Sequence, residues 1–287
     1  MNVLVVGGTG TVGSRVVLEL LGRRERPRVL TRSSDTVSRL PTNVMGVVGD
    51  TAKPETLPPA LQGVDSVVLI TGLSPNEAAE GLAVVEATKK AGVKRLVFLS
   101  VHEVEKCPEA PHFRSKIEIQ KAIEASGLRW TLVMPNNFFQ NDLWFRQAIM
   151  EHGVYPQPFG DVGLSRVDVR DIAEAIAAAA TESGHDGQRY PLVGPDVLTG
   201  TDTAAIWSRH LGREVRYGGN GLEAWALQSK AFMPEWMIED FRIMYRFFQE
   251  KGLRASDADF LQQAKVLKHP PRPFEDFAQE TAAVWRG

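Results

Sequence analysis

The sequence predicts an α/β protein: a doubly wound parallel sheet followed by a small, mainly helical C-terminal lobe. Three observations predict it. An apolar, β-branched run, Asn2 to Val6, opens the chain and is too short to cross a membrane. Glycines at 7, 8, 10 and 13 follow and lead into an amphipathic stretch in which Val12, Val16, Val17, Leu20 and Leu21 share a face. From there, strand-like and helix-like segments alternate to beyond residue 130, the order that builds a parallel sheet.

Composition narrows the classes. The chain has 287 residues, 43% of them hydrophobic, and a formal net charge of −2. This length suits a sheet core with a second lobe, which we place at 1–195 and 196–287. Balanced charge gives no general attraction to nucleic acid. The single cysteine, Cys107, excludes an internal disulfide and a multi-cysteine metal site, and it reads as a bystander thiol. The six histidines lack ligand spacing, so no metal is expected. No leader precedes the first strand, and no apolar run approaches the roughly 18 residues of a span. A cytoplasmic protein acting on a small molecule, monomeric or homodimeric and without a membrane partner, is the expectation.

Strand, glycine turn and helix in that order is where a dinucleotide pyrophosphate sits. Glycines let the backbone turn tightly and approach phosphate, and the helix N-terminus offers free N–H groups. The spacing is Gly7-x-x-Gly10-x-x-Gly13 with Gly8 in addition, not G-x-G-x-x-G. Gly7, Thr9, Gly10, Thr11, Val12 and Gly13 form the expected cradle. Gly22 to Pro27 is a basic, solvated connection, and Arg28 to Arg32 is the second strand. An acid roughly 20 positions after the glycines would bind a ribose 2′-hydroxyl, whereas an arginine there accommodates a 2′-phosphate. No acid ends this strand and Arg32 does, so NADP is favoured over NAD.

Val44 to Val48 is a third strand, and Asp50 beyond it either meets an adenine edge or caps the next segment. Asp65 to Ile70 is the fourth, ending in Thr71, Gly72 and Leu73. A helix covers Asn76 to Ala91, with Lys89 and Lys90 in its last turn and Gly92 stopping it. Arg95 to Ser100 is the fifth strand. Ligands of doubly wound sheets bind outside the carboxyl ends of the strands. The glycine turn, Arg32, Thr71 to Leu73 and Ser100 should therefore share one rim. His112 to Ile123 is a helix whose His112 and Lys116, four apart, share a face. Arg129 to Met134 is the sixth strand and runs into Pro135-Asn136-Asn137-Phe138-Phe139-Gln140-Asn141.

These features resemble the NmrA-like family, atypical members of the short-chain dehydrogenase/reductase superfamily. The resemblance rests on the glycine turn, the lysine on the helix after the fifth strand, Ser126-Gly127-Leu128-Arg129-Trp130-Thr131, the Pro135 to Asn141 turn, and Ser165 to Ala173. It runs to about residue 195. It implies a Rossmann-type core with bound NADP, NADPH being preferred over NADH. It implies one of two activities: reduction of quinones and related compounds, or redox sensing by a protein that binds the nucleotide without turnover and regulates a partner. Lys116 takes the place of the superfamily's active-site lysine, which holds the nicotinamide ribose. The superfamily's Tyr-x-x-x-Lys reads His112-x-x-x-Lys116 here, so His112 becomes the candidate proton donor. Ser100 falls near the superfamily's serine. Pro135, Asn136 and Phe138 join the expected cofactor set, and Phe138, Phe139 and Trp144 the expected slot for a planar, apolar acceptor.

Further helices are expected from Asp171, Thr201 and Pro234, and over 257–267 and 274–285, with strands at Arg189 to Val193 and Val215 to Tyr217. The stripe Met237, Phe241, Met244 and Phe248 reads as core. The cleft between core and lobe is the expected substrate position.

Overall fold

A computed structural model describes residues 1–287. The first half alternates β1 (Asn2–Val6), α1 (Thr11–Gly22), β2 (Arg26–Thr31), α2 (Ser34–Val37), β3 (Met45–Val48), α3 (Pro58–Leu61), β4 (Ser66–Leu69), α4 (Glu77–Lys90), β5 (Arg95–Leu99), α5 (Pro111–Glu124) and β6 (Arg129–Pro135). Next come α6 (Arg146–His152), β7 (Val154–Tyr155), α7 (Val169–Thr181), β8 (Gln188–Leu192), α8 (Gly200–Leu211) and β9 (Arg216–Tyr217). The chain ends with α9 (Leu222–Ser229), α10 (Glu235–Lys251), α11 (Asp257–Gln263) and α12 (Phe274–Arg286).

Seven strands form one sheet in the order β3-β2-β1-β4-β5-β6-β8, every neighbouring pair parallel. The winding reverses between β1 and β4, so the glycine turn after β1 lies at the switch point where such sheets bind ligands. The pleat sends Val3 and Val5 to one face, under α1 and α7, and Leu4 and Val6 to the other, under α3, α4 and α5. Ala175 and Ala177 to Ala180 on α7 are buried, and their small side chains let that helix lie close to the sheet. β7 and β9 make a separate two-stranded parallel sheet.

A third core is strongly aromatic and joins Phe139, Phe145, Tyr155 and Phe159 to Trp207, Trp225, Tyr245, Phe248 and Phe274. This core takes in residues on both sides of position 195. The chain leaves the sheet after β6 and contributes 139–164 to the lobe. It then returns for α7 and β8, and α11 comes back to the sheet edge, where Gln263 Oε1 accepts from Val193 N at 2.7 Å.

Arg166 ties these passages together. Its guanidinium is 2.6 Å from Asp142, with both side chains 0% exposed. It also donates to Asn137 Oδ1 and the Phe138 carbonyl, and lies 5.1 and 5.0 Å from the ring centroids of Phe159 and Phe274. Asp142 further accepts from Tyr155, Gln157 and Trp207. Removing one partner of a buried pair strands the other charge. Arg166→Ala is expected to cost about 3–5 kcal/mol in urea unfolding, and a loss under about 1 kcal/mol would contradict this reading of the pair.

Candidate active site

The carboxyl ends of β1, β2, β4, β5 and β6 open into a single cavity of about 920 Å³, walled on its far side by α10. Gly7, Thr9, Gly10, Thr11, Val12, Gly13, Arg32, Asp50, Thr71, Gly72, Leu73, Ser100, His112, Lys116, Pro135, Asn136, Phe138 and Trp144 all line it. Phe139 does not, and the expected acceptor slot is corrected there. The 3-10 segment Phe139–Phe145 turns that ring into the lobe, where it is 1% exposed and packs on Phe274 at 5.1 Å. The α10 stripe packs in the lobe core as expected, and Phe241, Met244 and Phe248 line the cavity as well, because α10 lies between the two.

The glycines of the turn divide by cause. Gly7 has φ +81°, and a Cβ on it would stand 2.3 Å from the Ile70 carbonyl oxygen. A Cβ on Gly13 would stand 2.1 Å from the Gly7 carbonyl oxygen. Those two are required by the backbone itself. Gly10 is different: its φ of −80° and ψ of 179° suit any residue, and a Cβ there meets nothing nearer than the Gly7 oxygen at 3.5 Å. It is the N-cap of α1, with no side-chain cap and no acid in the first turn. The first N–H groups of α1 are thus left for an anion.

Arg32 is exposed at the end of β2 and forms no ion pair. Beside it, Ser33 caps α2, accepting from Asp35 N at 3.1 Å. Asp50 Oδ1 accepts from Ala52 N at 3.0 Å, so it caps its turn while still facing the cavity.

Lys116 is buried, donates two hydrogen bonds and makes one ion pair. Nζ reaches Thr71 Oγ1 at 2.6 Å, the Leu99 carbonyl at 3.2 Å and Glu77 Oε1 at 2.9 Å. Thr71 donates onward to Glu77 Oε1 at 2.6 Å. His112 Nδ1 lies 2.6 Å from Asp240 Oδ1, and its backbone N–H donates to Oδ2 at 3.1 Å. An ionised carboxylate only accepts, so the ring proton sits on Nδ1 and Nε2 is the nitrogen left over. Ser100 donates its hydroxyl proton to Gln120 Oε1. Asn136 donates to the Leu253 carbonyl at 2.7 Å.

Sequence reasoning missed Glu77 and Asp240, each 1% exposed. Glu77 reads as an ordinary acid in the first turn of a helix, and Asp240 is 128 residues from its histidine. It also missed the meeting of Asp171, Glu174 and His269, whose ligand-type atoms lie within 4.8 Å of one another. Arg272 donates to both carboxylates, so the cluster works as an ion-pair tie between α7 and the Pro270 segment.

The sheet order and the glycine turn at its switch point define a doubly wound, dinucleotide-type α/β protein. More narrowly, the chain belongs to the NmrA-like family, which it matches over residues 1–278. It is 38% identical over 290 residues to an NAD(P)H azoreductase of Xenophilus azovorans, covering 99% of each chain. It is 35% identical over 285 residues to a (4-alkanoyl-5-oxo-2,5-dihydrofuran-3-yl)methyl phosphate reductase of Streptomyces griseus, again covering 99% of each. In fold it resembles an Escherichia coli NADPH-dependent quinone oxidoreductase solved with NADPH. That likeness has a TM-score of 0.87 at 24% identity, over 97% of this chain and 99% of the other. No helix is long and apolar enough to cross a membrane.

Proposed function

We propose that the protein is a cytoplasmic NADPH-dependent reductase of a small, planar, apolar acceptor such as a quinone. The observation that carries this reading is the single cavity, which joins the glycine turn and Arg32 to Lys116, His112 and an aromatic wall. The family relatives named as NAD(P)H azoreductase and (4-alkanoyl-5-oxo-2,5-dihydrofuran-3-yl)methyl phosphate reductase support the same class of chemistry.

The residues fit the nucleotide. Gly10 leaves open the place where phosphate approaches the backbone, α1 offers its uncapped N–H groups, and Arg32 is free to pair with a 2′-phosphate. Lys116, held by Thr71, Leu99 and Glu77, would hold the nicotinamide ribose. When bound, the reduced nicotinamide supplies a hydride. A quinone needs that hydride and one proton to become a hydroquinone. His112 gives the proton from Nε2 when the ring is doubly protonated, and Asp240 fixes the ring's orientation through Nδ1. Phe138, Trp144, Phe145, Phe241 and Met244 line the cavity and would give a flat acceptor an apolar wall.

Turnover tests the reading. Purified protein with NADPH and a panel of small quinones and azo compounds should oxidise the nicotinamide. Tight NADPH binding with no oxidation by any acceptor is the result that a redox sensor would give instead. The cofactor assignment has its own test. Arg32→Ala removes a charge-assisted bond and should weaken NADP binding about tenfold or more while leaving NAD nearly unchanged. Equal losses for both nucleotides would remove the 2′-phosphate from Arg32.

A further inference from the structure

Lys116 and Glu77 are an ion pair with side chains 10% and 1% exposed. A buried pair is tolerated when each remaining hydrogen-bonding position is filled. Neither side meets that condition. Lys116 donates to Thr71 Oγ1 and the Leu99 carbonyl and lies 2.9 Å from Glu77 Oε1 as an ion pair, so a third proton is left for a ligand. Glu77 Oε1 accepts from the Thr71 hydroxyl and pairs with the Lys116 ammonium, while Oε2 is buried with no hydrogen-bond partner. Thr71, Glu77 and Lys116 all line the cavity.

We propose that Glu77 is a ligand-binding residue and forms, with Lys116, a clamp for a vicinal diol. A carboxylate oxygen accepts and cannot donate, and an ammonium donates and cannot accept. Side by side, they suit two neighbouring hydroxyls, one donating to the carboxylate and the other accepting from the lysine. The terminal torsion of a glutamate is broad, so a small turn presents the unpartnered oxygen to the cavity. Thr71 donates to the other oxygen. On the nucleotide reading above, on which this rests, the diol is the ribose next to the nicotinamide. The glutamate supplies the acceptor that Lys116 alone lacks, and it keeps the ammonium aimed at the sugar.

The test compares binding of two ligands to the native protein and to Glu77→Gln, followed by calorimetry without any acceptor. The glutamine keeps the shape and replaces the open acceptor with a donor. NADPH should bind at least about tenfold more weakly to the variant, the loss expected for a hydrogen bond to a charged group. Adenosine 2′,5′-bisphosphate, which lacks the nicotinamide ribose, should bind both proteins alike. An NADPH analogue without the hydroxyls of that ribose should bind the native protein as weakly as NADPH binds the variant, an arm that does not depend on the variant folding. Parallel losses for NADPH and the bisphosphate, or no loss for either, would overturn the clamp. So would native affinity for the analogue. A native protein that binds neither NADPH nor the bisphosphate would overturn the nucleotide reading itself.

Discussion

His112→Ala is expected to cut turnover by about 10²–10⁴ while leaving NADPH affinity almost intact. The size follows from what the residue does in this account. It touches no part of the nucleotide's phosphate cradle, so its loss should not change binding. It supplies the one proton that must reach the acceptor with the hydride, and its orientation is set by Asp240 across 2.6 Å. Losing a positioned proton donor removes most of the benefit of general acid catalysis and none of the benefit of bringing the reactants together. Lys116→Ala should behave differently and damage both binding and turnover, because the lysine acts on the cofactor first. If His112→Ala reduces quinones at the native rate, protonation comes from water or another group.

The second large effect is expected at the glycine turn. Gly10→Val should abolish NADPH binding and leave the circular dichroism spectrum native. The backbone at Gly10 is extended, which a β-branched residue adopts readily, and the nearest atom to an added Cβ is 3.5 Å away. The fold therefore tolerates the side chain, and only a ligand approaching the backbone does not. A valine at position 7 or 13 would confuse the two effects, since those positions are already filled by the Ile70 and Gly7 carbonyl oxygens. Normal NADPH binding by Gly10→Val would move the pocket away from this turn.

The parts of the fold legible in the sequence are those with local signatures. The β-branched runs, the stripe on α1 and the glycines that stop helices gave the strand and helix sequence, with the sheet's parallel winding following from their alternation. The rim was legible for the same reason: Gly10, Arg32, Thr71 and Lys116 stand at ends of elements whose order is fixed, so the topology brings them together. What was not legible depends on partners distant in the chain. Asp240 reaches His112 only because α10 folds back over α5. Phe139 follows Phe138 in a turn whose 3-10 winding, not its composition, decides which ring faces the cavity. The packing of 139–164 into the aromatic core was not legible, because it turns on Asp142 and Arg166, 24 residues apart. α6 and α9 were absent from the sequence reading, being short helices held by aromatic packing rather than by a long periodic stripe.

On the proposed function, one cavity holds a reduced nicotinamide and an apolar acceptor in reacting contact. An anaerobic single-turnover experiment tests it most directly: stoichiometric protein and NADPH are mixed with a neutral quinone, and the reduced nicotinamide and the hydroquinone are followed together. One NADPH is expected to be consumed for each hydroquinone formed. NADPH that stays bound and reduced in the presence of every quinone and azo compound tried would contradict it.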